Sequence, residues 1–116
     1  MTLSFGTIMP QAFIEQAEAA TCNVQIGKTI RSGNTIIGYG SLSNCPYTSS
    51  ANLIIQRSRF YGWQDMATVK VTGSKDVYVS YNCSGTGTHD FRTTISGYTV
   101  GGKFRFKESN HIKASC

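Results

Sequence analysis

Asp76-Val77-Tyr78-Val79-Ser80-Tyr81-Asn82-Cys83-Ser84-Gly85-Thr86-Gly87-Thr88-His89-Asp90-Phe91-Arg92-Thr93-Thr94-Ile95 reads as two half-buried strands and the link between them. Val77, Val79 and Tyr81 share one parity, and a period of two puts them on one face of a strand. The alternation resumes with Phe91, Thr93 and Ile95. Ser84 to Gly87 between the runs are small and flexible, as a strand-to-strand crossing needs. A cysteine stands at the junction. The rest of the chain is expected to pack on these two strands.

Working outward, the texture stays β from Cys22 to the end. Asn23 to Ile26 alternates, and Ile30 continues the even parity as part of the same first strand. Arg31-Ser32-Gly33-Asn34 is a turn. The second strand runs from Thr35 to Leu42, and Gly38 and Gly40 within it mark a bulge or a close neighbour. The third, Asn52 to Tyr61, contains the unbroken apolar run Leu53-Ile54-Ile55 expected near a sheet centre. Arg57 and Arg59 share parity with Leu53 and Ile55. A bulge near Gln56, or a strand running past the core, would resolve that conflict. Phe60-Tyr61-Gly62-Trp63 forms an aromatic corner, and Trp63, the sole tryptophan, is expected to cap one end of the core. Ala67 to Thr72 is the fourth strand, with Val69 and Val71 in register. The opening stretch supplies the fifth and sixth. Lys103 to Ile112 is the seventh, with Phe104 and Phe106 on one face and Lys103, Arg105 and Lys107 on the other.

Seven short strands at near-regular spacing, with no helical period after Cys22, predict an all-β antiparallel sandwich. The Leu53-x-Ile55-Gln56-Arg57 strand, the turn with Trp63 and the Val-alternating strand after it resemble the central hairpin of bacterial immunoglobulin-like and fibronectin-III-like modules. Phe91-Arg92-Thr93 is similar to the partner strand that follows it there. The resemblance covers about half the chain, implies an Ig-like sandwich and transfers no active site.

Cys22, Cys45, Cys83 and Cys116 are four and widely spread, with no C-x-x-C spacing of a zinc knuckle or thioredoxin-type site. They read as two structural disulfides made in an oxidising compartment. Taken in the immunoglobulin order A-B-C-C′-E-F-G, Cys22 and Cys45 fall at one end of the sandwich and Cys83 and Cys116 at the other. A Cys45–Cys83 bond would have to span the sandwich, beyond disulfide reach. The expected pairs are Cys22–Cys45 and Cys83–Cys116, each contributing about 3–4 kcal/mol by loop closure.

Residues 2–13 are mostly apolar or small and uncharged, with a Pro near their end, and Ala17-Glu18-Ala19 follows in the pattern of a cleavage site. Residues 1–20 are therefore expected to be a signal-peptide remnant or a loose N-terminal helix, ahead of a disulfide-stapled domain over 21–116. The formal charge is +5; leaving out residues 1–20 removes Glu15 and Glu18 and no base, and raises it to +7. The hydrophobic fraction of 40% and charged fraction of 15% exclude a disordered chain. The basic balance favours acidic partners in general, such as anionic cell-wall polymers, anionic lipid or nucleic acid, and the expected partner is an anionic cell-wall polymer, a glycan or a protein surface. Nucleic acid is not expected.

No metal set, cofactor motif or nucleophile motif is present. The candidate binding surface is the basic, aromatic-laced group Arg57, Arg59, Trp63, Arg92, Lys103, Arg105 and Lys107, expected on one outer face if the third, sixth and seventh strands share a sheet. The leading expectation is a small secreted, non-catalytic binding protein acting at the bacterial cell envelope or on competing cells. One alternative is a ribonuclease-like hydrolase using His89 or His111, which needs an acid and a base flanking a phosphate. The other is a secreted enzyme inhibitor presenting the loop Pro46–Ser50.

Overall fold

The computed structural model describes residues 22–98 and 104–116. The signal-like segment and Lys103 lie outside them. Nine strands are described: β1 (Asn23–Ile26), β2 (Ile30–Ser32), β3 (Thr35–Ser43), β4 (Ser50–Arg59), β5 (Gly62–Thr72), β6 (Lys75–Asn82), β7 (Thr88–Tyr98), β8 (Phe104–Glu108) and β9 (Ile112–Ser115). All pairings among them are antiparallel. In one sheet β1 and β2 follow each other along one edge of β3, and β6 takes its other edge. In the second sheet the order is β5-β4-β7, and β8 and β9 follow each other along the free edge of β7. This is the A-B-E and C′-C-F-G division of an Ig-like sandwich. The opening stretch crosses between the sheets, with β6 in one and β7 in the other.

The core lies between the sheets. Ile36, Leu53, Ile55, Phe91 and Ile95 are fully buried, with Val79, Val71, Leu42 and Val24 around them. Register sets these faces: Ile55 opposes Thr93 and Leu53 opposes Ile95, so one parity of β4 and β7 points inward. At Gly38 and Gly40 in β3 the side chains of the facing sheet come up against the backbone. A Cβ on Gly38 would stand 2.2 Å from the Thr93 hydroxyl, and one on Gly40 would stand 2.8 Å from Leu53 Cδ1. The close neighbour foreseen for these glycines is therefore the facing sheet.

Seven expected strands become nine: the first breaks after Ile26 and resumes as β2, which takes in Arg31 and Ser32 of the expected turn, and the last ends at Glu108 and is followed by a further strand over Ile112–Ser115. The break at Gly27-Lys28-Thr29 and the break at Ser109-Asn110-His111 bond to each other. Thr29 Oγ1 lies 2.7 Å from Thr93 Oγ1 and 2.6 Å from Ser109 Oγ. The Thr29 N–H donates to Asn110 Oδ1, and the Thr93 N–H donates to Ser109 Oγ. Thr29 and Thr93 are buried, so these groups would be costly to leave unpaired. The breaks also invert parity. Ile26 opposes Gly40 on the inner face, whereas Ile30 opposes Ile37 on the outer face. The even parity read through Ile30 as one strand is thus corrected.

Both expected disulfides are formed, Cys22–Cys45 with a sequence separation of 23 and Cys83–Cys116 with 33. Cys22 and Cys45 flank the antiparallel neighbours β1 and β3, where Asn23 opposes Ser43. Cys83 follows β6 and Cys116 follows β9, so this second bond joins the two sheets at the opposite end of β3. Backbone bonds around it from Gly85 N to the Cys116 carbonyl and from Cys116 N to the Gly87 carbonyl hold the crossing to the C-terminus.

Candidate functional site

β4 keeps one parity through its whole pairing with β7, down to Arg57 opposite Phe91. Arg57 and Arg59 therefore do lie on the inward parity of Leu53 and Ile55, and the strand runs past the core. The bulge foreseen near Gln56 is also there, but its extra residue sits on β5. Ile55 opposes Ala67 and Gln56 opposes Asp65, leaving Met66 unpaired between them. An extra residue re-aims every side chain beyond it. Ala67, Val69 and Val71 face inward, while Asp65 and Trp63 are turned to the outer face. Trp63 thus does not cap the core, because Met66 has inverted its strand.

On that outer face Trp63 becomes the floor of a polar cluster. The Arg92 guanidinium carbon stands 4.4 Å from the Trp63 ring centroid. The His111 ring packs edge-on with its centroid 4.9 Å away. Arg92 Nε donates to Gln56 Oε1 at 2.8 Å, and Gln56 Nε2 donates to Asp65 Oδ1 at 2.8 Å. Arg92 Nη1 pairs with Glu108 Oε2 at 2.6 Å, and Glu108 Oε1 lies 3.8 Å from His111 Nε2. Asp65, Gln56, Arg92, Glu108 and His111 thus form one row across four segments of chain. The Arg92 side chain is only 14% exposed, against 46% for Glu108. Its charge is held by Glu108, its plane by Trp63, and its remaining edge is positioned by Gln56.

The same face continues along β7 and β8. Ser96 opposes Asn52 and Phe106, and Tyr98 opposes Ser50 and Phe104. Tyr98, Phe104 and Phe106 are exposed, and the rings of Tyr98 and Phe104 meet edge-to-face at 5.4 Å. A shallow groove of about 260 Å³ beside them is lined by Asn52, Lys70, Ser96, Tyr98 and Phe104 among others. From Tyr98 to Arg92 the face runs about 20 Å at ~3.3 Å per residue.

The basic set does not converge. The third, sixth and seventh expected strands do share a sheet, as β4, β7 and β8, but Arg105 opposes Gly97 and Lys107 opposes Ile95. Both take the inward parity at an edge that stays exposed, and the two phenylalanines take the outer face instead. Of the basic residues singled out that are among the described residues, Arg92 alone is on the outer face with Trp63. Sequence reasoning passed over Gln56, Asp65 and Glu108 as parts of this site, and assigned Phe104 and Phe106 no role. Alternation shows that Phe104 and Phe106 share a face, but not that this face looks out.

His89 and His111 are held in different places. His89 lies on the inward parity opposite Ala114, with its Nε2 2.9 Å from the Thr86 carbonyl. His111 lies against Trp63. Pro46–Ser50 forms a turn beside the first disulfide, closed by Ser49 N to the Pro46 carbonyl, with Tyr47 exposed at its tip. Among the described residues no group of three His, Cys, Asp or Glu side chains is placed to hold a metal. No helix among them is long and apolar enough to cross a membrane.

No family model matches the chain, and no curated protein matches it. Among solved structures it is similar to wild-type OgpA from Akkermansia muciniphila, with a TM-score of 0.44 and 17% sequence identity. The match covers 81% of this chain and 30% of that one. The chain thus spans under a third of that protein, and a likeness of that degree says nothing about activity.

Proposed function

We propose that this is an exported, non-catalytic binding protein of the bacterial cell envelope, resembling immunoglobulin-like and fibronectin-III-like modules, whose ligand is a glycan. The observation that carries the reading is the outer face of the β5-β4-β7-β8 sheet. Exposed aromatic rings at one end and a pre-bonded Trp63–Arg92–Glu108–Gln56 cluster at the other make a long surface with fixed donors and acceptors. Sugars present apolar ring faces edged by hydroxyls, and such a surface answers both parts at once. Arg92 is already neutralised by Glu108. Recognition here therefore rests on stacking and hydrogen bonds, and the net charge of +5 adds attraction to anionic wall material from a distance. The two disulfides fit an oxidising, extracytoplasmic setting.

The experiment is a pull-down on purified cell walls across a salt series, with wild type and Trp63→Ala. Wild type is expected to bind at low salt, where long-range attraction is least screened, and to retain part of that binding at high salt through stacking. Trp63→Ala is expected to lose the salt-resistant part. Indifference to wall material at low salt would remove the proposal.

A further inference from the structure

The β4–β5 hairpin ends in an unusual tip. Pairing of β4 with β7 stops at Arg57 opposite Phe91, whereas pairing with β5 continues to Arg59 opposite Gly62. The Arg59–Gly62 tip therefore extends beyond the β4–β7 pairing as a two-stranded turn. Two-residue hairpin turns favour Asn, Asp and Gly. This one carries Phe60 and Tyr61. Phe60 is 97% exposed and Tyr61 61%, with their rings edge-to-face at 5.2 Å. Neither has a positive φ; Gly62 takes that conformation instead, at +132°. The turn thus closes without strain while presenting two aromatic rings to solvent.

Behind the rings stand Arg57 and Arg59, both donating to Gln64 Oε1, at 3.2 and 3.3 Å. Among the described residues neither has a carboxylate partner. Both are half-buried, and Arg57 Nε is buried with no hydrogen-bond partner among them. Two aromatic side chains offer about 400 Å², well below the ~800 Å² per partner of a stable protein interface. That area suffices for an interfacial anchor, since aromatic rings settle at the headgroup level of a bilayer and basic residues just behind them meet lipid phosphates. We infer that the Phe60–Tyr61 tip is a membrane-interface anchor that docks the protein on an anionic lipid surface, with Arg59, which flanks the tip, at the phosphates. This does not depend on the glycan reading, which uses another face.

The test is flotation of the full chain with vesicles of phosphatidylcholine alone and of phosphatidylcholine mixed with phosphatidylglycerol, at low and physiological salt. The expected result is binding to the mixed vesicles. Phe60→Ser with Tyr61→Ser should reduce it at least tenfold, and Arg59→Gln should reduce it about fivefold. Phe60 and Tyr61 are exposed, so the double variant is expected to melt with wild type. No binding to the mixed vesicles at low salt would overturn the inference. So would binding that the serine variant retains in full, which would mark adsorption by charge alone. Concentration-dependent dimerisation lost in the serine variant, without vesicle binding, would assign the tip to a second copy instead. Wall binding by the serine variant should equal wild type, which separates failure here from failure of the glycan reading.

Discussion

Replacing Gly38 by Ala tests the close approach of the facing sheet to β3. The added Cβ would lie 2.2 Å from Thr93 Oγ1, 2.5 Å from its Cγ2 and 2.9 Å from its Cβ. Carbon atoms pack best at about 3.5–4.0 Å, so the sheets must separate by roughly 1 Å or Thr93 must turn away. Thr93 has little freedom to turn. It is fully buried, and its hydroxyl is bonded to Thr29. Overpacking costs about 1–3 kcal/mol, and losing the Thr29–Thr93 hydrogen bond costs about 1 more. A total of about 2–4 kcal/mol should lower the melting temperature by roughly 10–20 °C in a domain of this size. The control is the double variant Gly38→Ala with Thr93→Ala, which removes the two nearest atoms. Its loss should be smaller than the sum of the single losses by at least about 1 kcal/mol. Thermal and urea unfolding of the four proteins measure both quantities. A Gly38→Ala protein melting with wild type, or strictly additive losses, would refute the packing argument.

Cys83→Ser with Cys116→Ser should cost about 3.5 kcal/mol by loop-closure entropy and free β9 first, read as faster amide exchange over Ile112–Ser115 than over β4. Thr29→Val keeps the shape but strands the Thr93 hydroxyl; a loss of about 1–3 kcal/mol is expected by urea unfolding, and a neutral result would show that water replaces the bond. Trp63→Ala should reduce glycan binding while costing little stability, because Trp63 lies outside the core; a large drop in melting temperature would place it in the core after all. The Phe60→Ser, Tyr61→Ser protein should lose vesicle binding and keep its melting temperature.

Local pattern carried much of the architecture. Val77, Val79 and Tyr81, like Phe91, Thr93 and Ile95, face inward because side-chain direction alternates with a period the sequence displays. The disulfide pairing needed one thing more, an assumed immunoglobulin strand order, from which the chain ends that meet follow and bond length forbids the rest. Other features are settled by partners far away in the chain. The bulge at Met66 is a mismatch between two strands, and no residue of β5 announces it; yet it alone turns Trp63 from the core to the outer face. The breaks at Thr29 and Ser109 exist because two edge strands bond to each other about 80 residues apart, and they invert the parity read through Ile30. Phe104 and Phe106 show the same limit. Alternation groups them on one face, but only the register with Ser96 and Tyr98 says that this face meets solvent. Period is a property of one strand and can be read from it. Which face is inside, and which side chains converge, is a property of pairs of strands and is decided when the sheets close.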